Sequence, residues 1–200
     1  MTASPTTGTG SPDHSDTATR ILDRAQERIQ RCGYNAVSYG DLADDLELTT
    51  AAIHYHFPSK GDLGQALVTR YRNASVEKLE AIRDENPTLR ERLTRYATLY
   101  AEMLNEGGIC LCGVLAADES TLPPDVQREV QQFFRDQEDW LTEVVAADTT
   151  GGAGLRGCDT ARDVAEVILA TLQGAMLTTP NRNADAYMRR VQGIVESVVT

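Results

Sequence analysis

The sequence lacks the features that mark membrane-spanning or secreted proteins. No apolar run approaches the roughly 20 residues that a membrane-spanning helix needs, and no basic start followed by an apolar block indicates a secretory signal. Four cysteines in 200 residues are too few for a disulfide-dense secreted scaffold, so we expect free thiols. These absences predict a cytoplasmic protein that makes no membrane contact.

Histidine is also scarce, which bears on catalysis and metal binding. Two of the three histidines, His54 and His56, lie in "LTTAAIHYHFPSKGDL", residues 48–63, and the third lies near the N-terminus. On a helix these two side chains point about 200° apart, whereas a helical zinc pair needs a spacing of four residues. No set of nucleophile, base and acid is evident. We therefore predict no catalytic site, no metal, no cofactor and no enzymatic activity.

Lysine is the rarest basic residue, and acidic residues outnumber basic ones. Only two of the 19 basic residues are lysine, and the net charge is −11. Residues 1–75 hold seven basic and nine acidic groups, net −2, while residues 76–200 hold 12 and 21, net −9. Because salt screens charges beyond about 10 Å, the nearly neutral N-terminal part could still present a basic face to nucleic acid. The composition fits a high-salt host or a biased genome equally well.

The hydrophobic pattern present is helical almost throughout. Residues 1–16 are rich in Pro, Gly, Ser and Thr and read as a disordered tail. Apolar stripes at helical spacing then predict an all-α chain of about nine helices with no strand, three short helices leading a larger bundle. The predicted helices cover, approximately, residues 17–32, two short segments opening at 38 and 49, 59–85, 89–105, 109–118, 124–147, 161–178 and 184–198. The expected domains are 17–65 and 66–200.

Polar residues at the predicted helix starts support these boundaries. Ser38 is followed three residues later by Asp41, and Ser59 by Asp62, which is the pattern of a capping box. Asn86, before a proline, is predicted to cap the helix of residues 89–105. A glycine-rich stretch, residues 149–157, is predicted to be a loop.

Two short capped helices joined by a tight turn predict a helix-turn-helix. The first is capped by Ser38 and the second by Thr49. Such a unit places its second helix in the major groove of DNA. Lys60, at the start of the next helix, would add positive charge and free backbone N–H groups, which suit a phosphate.

The run "GYNAVSYGDLADDLELTTAAIHYHFPSKGDLGQAL", residues 33–67, closely resembles the DNA-binding domain of the TetR family of transcriptional regulators. The matching positions are Gly33, Tyr34, Ser38, Leu42, Ala43, Leu48, Thr49, Ile53, His56, Phe57, Ser59, Lys60 and Leu63. The resemblance implies a repressor that binds a palindromic double-stranded operator. The implied DNA-contacting residues are Ser38, Tyr39, Thr49, Thr50, Ala51, His54, Tyr55, His56 and Lys60.

Three positions depart from the usual family pattern. Ala51 stands where Gly is frequent, His54 stands where Tyr is frequent, and Glu47 replaces the Gly of the turn. A Glu there predicts a strained or altered turn, because glycine tolerates left-handed backbone best. With the acidic composition, these departures leave one alternative open, a helical interaction protein that has lost DNA binding. An enzyme is a weaker alternative.

The resemblance also implies a regulatory domain with a dimer interface and a ligand cavity. The helices of residues 161–178 and 184–198 are more apolar than one-sided packing needs, which suits a homodimer, although an internal pair of core helices is the alternative. A two-fold dimer would place its recognition helices about 34–36 Å apart, one turn of DNA. The long helix of residues 59–85 is expected to carry a signal to the DNA-binding heads.

Aromatic and methionine residues are the candidates for lining the cavity of an unknown small-molecule effector. They are Tyr96, Tyr100, Met103, Phe133, Phe134 and Trp140. Each could equally be an ordinary core residue, and no pattern identifies the effector.

The segment "GGICLCGVLAAD", residues 107–118, supplies a candidate redox sensor. Cys110 lies where a helix should begin, and a helix N-terminus stabilises a thiolate. The segment is similar to a TetR subgroup that includes sensors of electrophiles and oxidants, in which a cysteine three residues before a Gly, here Gly113, is the sensor. The alternative is structural burial of Cys110 and Cys112, and a metal site there would need further ligands.

Overall fold

The computed structural model describes residues 14–148 and 154–199, with side chains from residue 16 onward. These parts of the chain form α-helices and two short 3-10 turns, and they contain no strand. The α-helices are α1 (His14–Cys32), α2 (Tyr39–Leu46), α3 (Thr50–His56), α4 (Lys60–Glu85), α5 (Leu89–Asn105), α6 (Leu111–Ala117), α7 (Pro124–Ala146), α8 (Ala161–Thr178) and α9 (Ala184–Val198). The predicted all-α architecture of about nine helices is confirmed.

Helix α1 begins at His14, three residues earlier than predicted. Asp16 lies in its first turn, where a negative charge interacts favourably with the helix dipole. The rest of the predicted tail, residues 1–13, lies outside the described residues, as do residues 149–153 of the predicted loop. In the described ranges no helix is both long and apolar enough to cross a bilayer.

Side-chain caps fix most of the other helix starts. The capping boxes predicted for Ser38 and Ser59 are both present. The prediction that Asn86 caps α5 was wrong, because Asn86 ends α4 and donates its backbone N–H to Ile82. Thr88 caps α5 instead. A proline at the next position disfavours helical backbone at Asn86, which is why α4 ends there.

Helices α1, α2 and α3 form the N-terminal head, in which an ion cluster fixes α2 against α1. The Asp45 carboxylate lies between two guanidinium groups of α1, 2.6 Å from Arg24 Nε and 2.7 Å from Arg28 Nη2. These hydrogen bonds hold the pKa of Asp45 well below its usual range. Only 16% of its side chain is exposed. The apolar contacts of the head include Ile21, Leu42 and Ile53, which are fully buried. The ion pairs add to them by fixing the orientation of α2 against α1.

Helix α4 runs from the head into the larger bundle of α5 to α9 and crosses the predicted boundary at residue 65. Arg72 of α4 lies 3.3 Å from Glu129 and 3.4 Å from Asp136, both on α7. Helix α7 packs in turn on α8, and α9 packs on α5 and α8. The core of the bundle includes fully buried Tyr96 and Tyr187. A displacement of α4 must therefore move either α7 or the head.

The turn between α2 and α3 carries backbone strain at Glu47. This residue has φ 54° and ψ 40°, the left-handed conformation, and its N–H bonds to the carbonyl of Ala43. An L-residue with a side chain pays roughly 1–2 kcal/mol for this conformation. The strain expected from the missing glycine is therefore present in the structure.

Replacing Glu47 with Gly should increase the free energy of unfolding by about 0.5–1 kcal/mol, because glycine adopts the left-handed conformation without a Cβ clash. Urea denaturation followed by circular dichroism measures the change. Asp44→Gly is the matched control, since Asp44 is exposed and helical, and it should lower the same quantity by roughly 0.3–0.5 kcal/mol. A Glu47→Gly protein that is less stable than the unmodified chain would contradict the assignment of strain.

Candidate DNA-binding face and regulatory cavity

The outward face of α3 presents contiguous polar and aromatic side chains. Thr50, Ala51, His54 and Tyr55 are exposed, and Tyr55 is 71% exposed. The opposite face buries Ile53 in the head. Because positions four apart share one face of a helix, these four residues form one surface that can enter a groove. We call this surface the α3 face.

Tyr39 and His54 hold the turn that follows α3. The hydroxyl of Tyr39 lies 2.8 Å from the carbonyl oxygen of Phe57 and 2.6 Å from that of Ser59. Burial raises the pKa of Tyr39 to about 12, so at neutral pH the phenol keeps the hydrogen that it donates. The ring of His54 lies 4.6 Å from the Tyr39 ring, and its Nδ1 is 3.1 Å from the Pro58 oxygen. Donation from Nδ1 leaves Nε2 for another partner.

Several other predicted DNA contacts have partners inside the head. The Ser38 hydroxyl accepts from the Asp41 backbone and donates to its carboxylate. Thr49 caps α3 by accepting from Ala52 at 3.1 Å. Lys60 Nζ lies 4.3 Å from the centre of the Tyr34 ring, and burial lowers its pKa.

Half-buried His56 has its ring beside those of Tyr55 and Phe57. The sequence pattern predicts that Ser38, Tyr39 and Thr49 contact DNA. In the structure their side chains make hydrogen bonds that hold α2, α3 and the following turn in place. DNA contact by all nine residues stays a prediction.

A cleft of about 840 Å³ lies between α1, α4, α5, α7 and the segment of residues 106–110. Four of the six predicted cavity residues line it, namely Tyr96, Tyr100, Met103 and Phe133. The other two do not: Phe134 is half-buried with its ring 5.3 Å from Phe133, and Trp140 packs behind Tyr96 at 5.4 Å.

Sequence reasoning missed Tyr71, Ser75 and Gln137, which also line the cleft. From the sequence, the helix of residues 59–85 is expected only to connect the head to the bundle. The spacing of Tyr71 and Ser75 places both on one face of that helix, which is the signal that could have found them.

The rim of the cleft is charged, and α1 supplies part of it. The charged lining residues are Asp23, Glu27, Arg31, Arg70, Lys78, Glu102 and Glu106. All are exposed except Arg70, which is half-buried and lies 2.8 Å from Asp23. Since Asp23 belongs to the head and Arg70 to α4, this ion pair connects the head to α4 at the rim of the cleft.

Cys110 is the N-cap residue of α6, where the sequence predicts the start of a helix, and it also lies in the cleft wall. Its side chain is 1% exposed, and Sγ is 3.8 Å from the Tyr71 hydroxyl. Cys112 is fully buried, and burial raises the pKa of its thiol. Among the described residues, no group of three or more His, Cys, Asp or Glu side chains is placed to hold a metal ion.

The segment around Cys110, residues 109–118, is hydrogen-bonded to the end of α1. Gln30 donates to the Ile109 carbonyl at 2.6 Å, and the Tyr34 N–H donates to the Asp118 carboxylate at 3.0 Å. Gly33 makes the second contact possible: its φ is +86°, and a Cβ there would lie 3.2 Å from the same carboxylate oxygen. The cleft wall and the head are therefore joined directly, in addition to their connection through α4.

Comparisons with known proteins agree with this architecture. A family model described as bacterial regulatory proteins, tetR family, matches residues 21–67. The solved structure of a TetR-family transcriptional regulator from Agrobacterium tumefaciens is 31% identical, with a TM-score of 0.87 over 94% of this chain and 100% of that one. A TetR regulator from Legionella pneumophila is 27% identical, with a TM-score of 0.81 over 96% and 100%.

A curated relative gives the same indication. An uncharacterised HTH-type transcriptional regulator of Lactococcus lactis subsp. lactis is 26% identical over 169 residues, which are 81% of this chain and 82% of that protein. The similarity thus extends well beyond the residues of the head.

Replacing Tyr39 with Phe should weaken DNA binding roughly fivefold, because the α3–α4 turn loses the one hydrogen that Tyr39 shares between two carbonyl oxygens and the α3 face loses its fixed angle. Fluorescence polarisation with labelled DNA, selected from genomic fragments by binding, measures the affinity. Tyr187→Phe is the matched control, since the Tyr187 hydroxyl is buried without a hydrogen-bond partner. Equal affinities for the two variants would show that the turn does not depend on Tyr39.

Proposed function

The chain belongs to the TetR family of transcriptional regulators, and we propose that it is a homodimeric repressor released from its operator by a signal at the cleft. The signal is a small molecule or a modification of a thiol. One observation carries the proposal: the cleft is lined by α1 of the head as well as by helices of the bundle. A group that enters the cleft therefore contacts the DNA-binding part itself. Such a repressor would act on chromosomal DNA in the cytoplasm.

The α3 face is suited to the major groove. Its exposed side chains are short or aromatic, and it carries no acidic residue. The ends of α2 and α4 flank it, and their first residues, Tyr39 and Lys60, offer backbone N–H groups to phosphates. The nearly neutral charge of the N-terminal part limits repulsion from DNA, so the acidic residues of the bundle need not prevent binding.

The outer surface of α8 and α9 supports a homodimer. Val167 is 40% exposed and Leu177 is 61% exposed, both on α8. Gly174 on α8 and Gly193 on α9 have open space where a Cβ would lie, so a second copy could approach the backbone closely. Two-fold pairing through these helices would present two α3 faces to a palindromic operator.

The signal has two physical routes to the head. The first is α4, which lines the cleft through Tyr71 and carries the head at its N-terminal end. The second is the segment from Cys110 to Asp118, which binds the end of α1. A ligand that favours one arrangement of these elements shifts the population away from the DNA-binding arrangement.

Thiol modification is the alternative signal at the same place. Cys110 lies in the cleft wall with its side chain 1% exposed, so a small oxidant would reach it through the cleft once the wall moves. The buried site has little room for added atoms, and modification would push α6 away from Tyr71. Strain at α6 would then reach the head through Asp118.

DNA binding should weaken steeply with salt, because contacts to phosphates release counterions. For six or more phosphate contacts the affinity should fall by about 10³-fold or more between roughly 50 and 200 mM salt. Polarisation assays on fragments selected from genomic DNA measure the affinity, with an unrelated fragment of equal length as control. Failure to bind any selected fragment at low salt would sink the proposal of a DNA-binding regulator.

Replacing Cys110 with Ser should abolish release from DNA by the thiol oxidant diamide, if thiol modification is the signal. Cys32→Ser is the control, since Cys32 is exposed and lies outside the cleft. The readout is the fraction of labelled operator that remains bound. Unchanged release from the Cys110→Ser protein would remove this thiol as the sensor and favour a ligand that binds without reaction.

A further inference from the structure

Polar side chains in and behind the inner wall of the cleft form a hydrogen-bonded chain that runs in one direction. Gln173 Nε2 lies 3.5 Å from the Tyr100 hydroxyl, which lies 3.0 Å from that of Tyr96. Tyr96 donates to Gln137 Oε1 at 3.1 Å, and Gln137 Nε2 donates to Ser75 Oγ at 3.0 Å. Since a phenol has one hydrogen, Tyr100 must donate to Tyr96. The chain therefore ends at the hydroxyl hydrogen of Ser75.

Ser75 and Tyr71 each hold a hydrogen that the wall does not satisfy well. In the described parts of the chain, Ser75 has no acceptor for its own hydrogen, because its one hydrogen bond is received from Gln137. The backbone of Leu111 donates to the Tyr71 oxygen, but the acceptors for the Tyr71 hydrogen are sulfur atoms, Met103 Sδ at 3.4 Å and Cys110 Sγ at 3.8 Å, which are weak. Burial raises the pKa of Tyr71, so the phenol remains a donor.

These two donors share one face of α4. Tyr71 and Ser75 are four residues apart, one helical turn, and both line the cleft. Two further donors lie behind the wall, because Trp140 Nε1 and the Tyr187 hydroxyl are buried without a hydrogen-bond partner. Each of these two groups therefore holds a hydrogen that has no acceptor among the described residues.

The inner wall carries no ionised side chain. The charged lining residues lie at the rim, and the half-buried one among them, Arg70, is already paired with Asp23. A charged group on a ligand would therefore be buried at the inner wall without a counter-charge, which is costly. The rings of Tyr71, Tyr96, Tyr100 and Phe133 line the same space and suit a planar apolar body.

We propose that the cleft selects an uncharged, largely aromatic molecule whose oxygen accepts hydrogen bonds from Tyr71 and Ser75. A ketone, ester or ether oxygen meets this description, whereas a carboxylate, an ammonium group or a pure hydrocarbon does not. The proposal rests on the proposed function, because it names the chemical class of effector for the cleft. The bond to the ligand replaces the weak contacts of Tyr71 with sulfur, which frees Cys110 and α6 on one side of the wall.

Isothermal titration calorimetry on the full chain, without DNA, tests the proposal with three probes that share one fused-ring skeleton. They are 9-fluorenone, the hydrocarbon fluorene, and the charged 9-fluorenone-4-carboxylate. Fluorenone has no alkene to which Cys110 could add, so the measurement reports binding and not thiol chemistry. Fluorenone should bind roughly tenfold tighter than fluorene, as two net hydrogen bonds would give, and the carboxylate should bind more weakly than fluorenone.

Tyr71→Phe and Ser75→Ala should each weaken fluorenone binding about three- to tenfold and leave fluorene within about twofold. Tyr187→Phe is the control and should leave both affinities unchanged, since its hydroxyl is not in the cleft lining. Circular dichroism melting curves of the variants confirm that they are folded. The difference between ketone and hydrocarbon is the deciding quantity, because a general loosening of the cleft would lower both affinities together.

Three results would overturn the proposal: no measurable binding of fluorenone, equal affinities for fluorenone and fluorene, or tighter binding of the carboxylate. A parallel loss of both uncharged probes in the Tyr71→Phe and Ser75→Ala proteins would also overturn it. The calorimetry contains no DNA, so a failure of operator binding or release leaves these outcomes unchanged. Operator release by fluorenone, measured separately, tests the proposed function alone.

Discussion

The contact between Asp118 and the end of α1 is the constraint that fixes the head against the wall of the cleft. The Asp118 carboxylate accepts the Tyr34 N–H at 3.0 Å, and a Cβ at residue 33 would crowd the same carboxylate at 3.2 Å on a backbone with φ +86°, which favours glycine. The same short segment contains Cys110 and α6, so the wall of the cleft and the position of the head are fixed by one stretch of chain. Tyr34 extends the connection to α4, because its hydroxyl donates to the Lys60 carbonyl at 2.9 Å.

The cleft therefore lies between the head and the helical bundle and is not enclosed within the bundle alone. Both α1 and α4 line the cleft, so in the proposed function the binding energy of an effector would act on the orientation of the head. Coupling of this kind is reciprocal. If the ligand lowers the affinity for the operator by some factor, the operator lowers the affinity for the ligand by the same factor. The two donors of the proposed effector site, Tyr71 and Ser75, both lie on α4, the helix that connects the head to the bundle.

The sequence predicts the head better than the cleft because local signals determine the head. Ser38, Thr49 and Ser59 cap the helices that their spacing indicates, and Glu47 is strained where a glycine is missing. The cleft depends on which helices meet, and that is a tertiary property. On α7, Phe133 and Phe134 are adjacent in sequence, yet only the first lines the cleft, since the phase of the helix against α4 decides which ring faces inward. No pattern within α1 indicates that Asp23 would form part of the rim of the cleft.

The most direct test of the account is the operator affinity of an Asp118→Ala protein. If this carboxylate holds the head in its DNA-binding position, its loss should weaken operator binding by about tenfold, the range expected for a hydrogen bond to a charged group. The thermal midpoint of the helical bundle should change little, because the contact lies at its edge. An Asp118→Ala protein that folds and binds its operator as tightly as the unmodified chain would contradict the account.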